Sequence, residues 1–288
     1  VWGNLQIHPT IFLDYSHNGL TSNLDTYRND FRLTSINTGI GIIANYRIKR
    51  FYADLYVTGN YRYFNLNNKD TDIDTDEHRF VVEPHLTLKY DIDGINELRF
   101  NASLSHSNPA IENLYDQYIL TSYRQLSVYE NNELYQSQVQ NYTLSYDYKN
   151  IVSMLFFGID VGWTHNRPDV LYGSYYDGIS ERITSIKTNE TMDVFSAKLR
   201  ASKGFDWKRL KIGAECGYSY YDSPILLQND IVRYYGNSLN AKLDVSLMPF
   251  QWLSFSYNGS YSQSQTRMKT GEDMPLLRTI SNNALLEF

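Results

Sequence analysis

The chain has 288 residues, of which 42% are hydrophobic, 20% charged and 15% aromatic, with 26 Tyr against 13 Phe and 4 Trp. Its net charge of −6 argues against nucleic acid as a partner, because that binding runs on Lys and Arg neutralising phosphates. No stretch of eighteen apolar residues occurs. That excludes a protein that spans a membrane with helices, but not one that spans with strands, which need about 9–11 residues with every second one apolar.

Two-residue alternation of apolar and polar residues predicts strands near 4–16, 36–49, 51–65, 79–91, 97–107, 138–149, 151–165, 192–203, 208–221, 236–247, 251–264 and 277–288. Pro9 and Pro84 fall on apolar faces and predict a bulge or break, since proline cannot donate to a ladder. Over 51–65, Phe51, Ala53, Leu55, Val57, Gly59, Tyr61 and Tyr63 alternate with Tyr52, Asp54, Tyr56, Thr58, Asn60 and Arg62. Over 209–220, Leu210, Ile212, Ala214, Cys216, Tyr218 and Tyr220 alternate with Arg209, Lys211, Gly213, Glu215, Gly217 and Ser219. Leu239, Ala241, Leu243, Val245 and Leu247 share one face of the strand at 236–247. A helical period would scatter each set over every face.

The connections alternate in length. Short ones lie near 49–50, 93–96, 149–150, 205–208 and 248–251. Long, polar ones lie at 17–35, 66–78, 108–137, 166–191, 222–235 and 265–276 and are expected to form a water-facing rim. The short turns carry or adjoin Phe51, Trp207, Phe250 and Trp252 with Arg47, Lys49, Arg50, Lys149, Lys208 and Arg209, rings and cations suited to a headgroup layer. Short turns at one end and long loops at the other describe an antiparallel transmembrane β-barrel of the outer membrane of a Gram-negative bacterium, an all-β fold. A soluble sandwich or solenoid is the competing architecture; a sandwich's double-layer core would have to run about 40 Å to bury strands this long, and no internal repeat at fixed period supports a solenoid.

Units such as Gln140, Asn141, Tyr142, Thr143, Leu144, Ser145, Tyr146, Asp147, Tyr148 and Lys149 resemble the barrel of TonB-dependent outer-membrane receptors, in the Tyr-rich branch with a carboxypeptidase-regulatory-like domain before its plug. The segments 107–114 and 130–134 resemble that family's long mid-barrel loop. The resemblance implies a 22-stranded barrel around a plug domain, a TonB-type energy transducer, and uptake of a small solute such as a metal chelate, glycan or peptide. Residues 1–288 would then be a partial barrel without its plug. The alternatives are a complete 12-stranded passive channel and an outer-membrane enzyme with loop-borne catalytic residues. Phe288 resembles the terminal aromatic read by barrel-assembly machinery, and outer-membrane lipid is the other expected partner.

No catalytic residue and no cofactor is assigned. The six histidines, His8, His17, His78, His85, His106 and His165, show no metal-binding spacing. Cys216, the single cysteine, lies on an apolar face as inert packing. Alternating Asp70, Asp72, Asp74 and Asp76 form a weak calcium candidate against a solvated acidic loop, and the EF-hand pattern fails at Thr75 and Val81. The lumen-facing candidates are Arg62, Glu83, Arg99, Asp160, Lys198, Arg200, Glu215 and Lys242. They either tune passage or pair with one another on the wall.

Overall fold

A computed structural model describes residues 4–24, 26–70, 73–122, 125–129, 133–227, 230–269 and 276–287. Among the described residues sixteen strands form, and no helix is long and apolar enough to cross a membrane. Twelve of the strands make one antiparallel sheet, ordered β1 (Asn4–Leu24), β2 (Tyr27–Ile48), β3 (Phe51–Asn68), β4 (Ile73–Asp91), β5 (Asn96–His106), β8 (Ser137–Asn150), β9 (Leu155–Pro168), β12 (Met192–Phe205), β13 (Leu210–Leu227), β14 (Asp230–Phe250), β15 (Leu253–Met268) and β16 (Leu277–Glu287). Among the described residues no ladder joins β1 to β16.

The register carries the alternation across neighbouring strands. Ile11 pairs with Ile40, Ile40 with Gly59 and Gly59 with Val82, so one face stays apolar from strand to strand. Further along, Tyr142 pairs with Trp163, Trp163 with Phe195 and Phe195 with Tyr220 on that same face. Its large side chains remain exposed, Ile11 at 83% and Phe80 at 71%. Water would penalise such a surface at about 25 cal/mol per Å². At the short-turn end Phe250 and Trp252 stack at 5.3 Å.

Several sequence expectations change. Pro9 and Pro84 interrupt nothing, and the ladders run through Pro9↔Ile42 and Val57↔Pro84 without a shift. Pro9 lies on a strand with one neighbour, and the β4–β5 ladder starts at His85↔Ser103, one residue past Pro84. Each proline thus has room for its missing N–H. The shift in the main sheet comes instead between Leu247 and Phe250, at Pro249. The turn expected at 149–150 sits at 151–154, because β8 runs on through Asn150.

The long connections are not simple polar loops. Those at 17–35, 66–78 and 222–235 are largely continuations of their hairpins. Those at 108–137 and 166–191 fold into a second sheet, ordered β10 (Val170–Asp177), β11 (Ser180–Lys187), β7 (Gln125–Tyr129) and β6 (Ile119–Ser122), with β11 parallel to β7. We call it the cap. Ile111, Leu114, Tyr115 and Leu134 bury against Phe31, Leu33, Phe64 and Leu66 of β2 and β3. Asn29 fixes the docking, donating to the Gln117 carbonyl at 3.1 Å and accepting from its N–H at 3.2 Å. On the far side β10 lies beside the end of β13, where the β12–β13 ladder has stopped at Asp193↔Asp222. A side chain at Gly173 would meet Leu226 at 2.8 Å, so only glycine allows that approach. The cap therefore bridges β2–β3 to β13, six strand spacings or ~29 Å apart along the sheet.

Candidate functional site

All eight lumen-facing candidates fall on the polar face. Glu97, Asp147, Gly158, Arg200, Glu215 and Lys242 are successive register partners from β5 to β14. The adjacent row holds Lys89, Arg99, Ser145, Asp160 and Lys198. Strand register thus gathers into a belt charges that lie up to about 150 residues apart in sequence.

Within the belt the charges neutralise one another. Glu97 holds Lys89 at 2.8 Å and also contacts Arg99. Arg200 reaches Asp160 at 2.9 Å and Asp147 at 3.6 Å. Gly158 lies between those two strands' partners, and a Cβ there would meet the Arg200 guanidinium at 3.2 Å. Lys198 holds Glu215 at 2.8 Å, and Lys242 faces Glu215 from β14. Of the two sequence readings, the wall-pairing one describes this belt. A wall of alternating fixed charges presents donors and acceptors to a polar solute without a large net field.

Arg62 and Glu83 form a separate, more buried group towards the cap. The Arg62 guanidinium donates to both Glu83 oxygens at 2.8 Å and to the His106 carbonyl at 3.0 Å. Glu83 also accepts from the His106 N–H at 2.7 Å and from Asn60 at 2.6 Å. Here β4 has parted from β5, and these side chains close the gap. Arg79 does the same one turn of the ladder further on, touching Glu77, the Leu134 carbonyl and Asp169, the last at 3.6 Å.

The cap interior is rich in tyrosine. Tyr129 meets Tyr115 and Tyr172 edge-on at 5.0 and 5.6 Å. Burial pushes the Tyr172 phenol up to about 12. Burial likewise raises Tyr115, Tyr129 and Tyr135.

From Ile73 onward the acidic run is strand, not loop. Asp74 and Asp76 sit within β4, where both accept from Asn65 at 2.8 Å and Asp76 also accepts from Tyr63 at 2.9 Å. Those bonds hold the Asp76 carboxyl below its usual range. Residues alternating along a strand stand ~6.7 Å apart in a line, which is a poor cage for a cation. Asp70 lies in the turn, Asp72 lies outside the described residues, and no metal-holding cluster occurs among the described residues.

Sequence reasoning missed the cap and the clefts at its root. The available signal was apolar residues on the polar parity, Phe31 with Leu33 and Phe64 with Leu66, and the helical spacing of Ile111, Leu114 and Tyr115.

Comparison with known proteins adds little. No family model matches the chain, and no curated protein matches it. A solved structure, that of OccK7 (OpdD) from Pseudomonas aeruginosa, aligns over 99% of both chains at 11% identity with a TM-score of 0.22.

Proposed function

We propose that this protein is a transmembrane β-barrel protein of the Gram-negative outer membrane that passes a small solute. The observation that carries the reading is the twelve-stranded antiparallel sheet with one apolar, exposed face and one charged, internally paired face. Lipid suits the first face and water the second. We adopt passive passage over energised uptake by a TonB-dependent receptor, because the wall charges are satisfied by one another rather than held out for a folded plug. The experiment is reconstitution of the full chain in planar bilayers. Stepwise conductance that survives without any energy source supports passive passage. Solute uptake in cells that stops when the proton-motive force is collapsed, with no bilayer conductance, supports the receptor. A chain that stays monomeric in solution without detergent defeats both.

The strand edges belong to the same proposal. β1 and β16 each have one neighbour among the described residues, and an unsatisfied backbone group in lipid costs several kcal/mol. These edges must pair with each other or with further strands. Cysteines placed pairwise at Ile7 or Leu13 and at Ile280 or Leu286, in a Cys216→Ala background, separate the cases. A crosslink means a closed twelve-stranded barrel, and its absence in a folded protein means intervening strands, as a partial barrel requires.

A further inference from the structure

A cleft of about 270 Å³ opens at the root of the cap. His106, Gln138 and Arg167 are register partners across β5, β8 and β9 and form its wall, with Gln136, Asp169 and Asn189 beside them. By alternation these three strand residues share the apolar face with Ala102, Tyr142 and Trp163, four residues further down each strand. The cleft thus belongs to the outer side of the sheet, not the charged belt.

Its height on the strand is informative. An apolar band ~25 Å tall on strands tilted ~40° takes about ten residues. Counted from Leu155, where β9 begins, that band ends near His165. Trp163 and Tyr142 stack at 5.4 Å just below that limit, at the depth where amphipathic rings sit. Arg167 is the next residue on this face and stands at headgroup level.

The cleft is rich in donors. Arg167 donates to the neutral Asn189 Oδ1 at 3.0 Å, and no carboxylate of the described residues forms an ion pair with it. Gln136 is 8% exposed, and its Nε2 is buried without a hydrogen-bond partner. Such an orphaned donor destabilises the fold, and an incoming oxyanion would relieve it once the amide turns towards it. The one carboxylate, Asp169, is already engaged by the Gln136 N–H at 3.2 Å and by Arg79 at 3.6 Å. The His106 N–H donates to Glu83 at 2.7 Å, and its ring Nδ1 lies 3.4 Å from the same carboxyl.

We propose that this cleft binds the phosphate of an anionic membrane amphiphile whose chains lie along the apolar face beneath it. The proposal rests on the membrane-barrel reading. Arg167 and Gln136 supply the donors, and Trp163 with Tyr142 floors the chains.

The test uses the full chain with Trp163 as its one tryptophan, the other three being replaced by Phe. It is reconstituted in phosphatidylcholine vesicles holding a minor fraction of either brominated phosphatidic acid or brominated phosphatidylcholine. Trp163 fluorescence should be quenched more by the phosphatidic acid. Arg167→Gln should lower that excess about fivefold, the factor equivalent to ~1 kcal/mol of headgroup attraction per cation. Lys69→Gln, a cation at the same end outside the cleft, should leave it intact. Equal quenching by both lipids overturns the site, as does equal sensitivity to Lys69→Gln. Loss of the excess on adding inorganic phosphate assigns the cleft to a free anion and overturns the lipid proposal. No quenching by either lipid defeats the membrane reading itself.

Discussion

Along β2 the apolar side chains change sides. Near its short-turn half Ile40 and Ile42 point out of the sheet, Ile40 at 66% exposure. Near its long-loop half Phe31 and Leu33 point the other way, and Phe31 is fully buried under the cap. β3 repeats the switch, from Leu55 and Val57 to Phe64 and Leu66. No bulge causes it, because the β2–β3 register is continuous from Phe31↔Asn68 to Ile48↔Phe51. On the membrane reading proposed above, what changes is the solvent: lipid covers the outward face over one stretch, and beyond it the apolar residues are buried only by what packs on the inward face.

The inward apolar cluster depends most on Phe31, which is fully buried. Phe31→Ala should cost the cap ~3–5 kcal/mol, the range for emptying an aromatic core site. We expect protease to cut within the 107–136 segment while the main sheet keeps its heat-modifiable gel mobility. Loss of both together would mean that cap and sheet are one cooperative unit. A smaller effect is expected from Leu243→Arg on the apolar face, where a cation near the bilayer midplane costs ~2–4 kcal/mol. That variant should lose the folded mobility with the cap sequence untouched. If it tolerates the arginine in lipid, the face is wrongly assigned. Smaller again is Lys198→Ala on the charged face. Its partly exposed pair with Glu215 should contribute ~0.2–1 kcal/mol, so folding should be unchanged, and a chevron or melting shift beyond that range would argue for a buried belt.

The cap also has a pH signature at high pH. The Tyr172 phenol is raised, so the folded cap keeps a proton that the unfolded chain gives up. Its contribution is complete below pH 10, the unfolded value, and is lost as pH rises towards about 12. Titration by tyrosinate absorbance should show a late group ionising together with loss of protease protection at 107–136. Ionisation of every tyrosine near pH 10 would mean that the cap is open.

Much of the sheet was legible because its signal is local. Strand 51–65 shows every second residue apolar, and the structure places β3 at Phe51–Asn68. Parity alone puts the eight charged candidates on one face, and the register keeps them together there. Parity does not give their partners, because Arg200 reaches Asp160 on β9 and also Asp147 on β8 through neighbours that only register supplies. Strand ends were underestimated wherever the apolar side switched. In β2 the alternation read from its short-turn end stops at 36 because the parity of the apolar residues inverts beyond it.

The alternation, the parity of short and long connections, and therefore a long antiparallel sheet with one apolar and one polar face can be read from residue order alone. Those follow from a two-residue period, which each strand expresses without reference to any other. The tertiary structure decided the rest. It brought Phe31, Phe64, Leu114 and Leu134 into one core across about 100 residues of chain, turned two polar-looking loops into a cap, and left Arg167 in one cleft with Gln136, whose Nε2 has no partner, at the edge of the apolar face. Contacts between segments so far apart depend on register and on the path of each connection, and neither is written in any short stretch of residues.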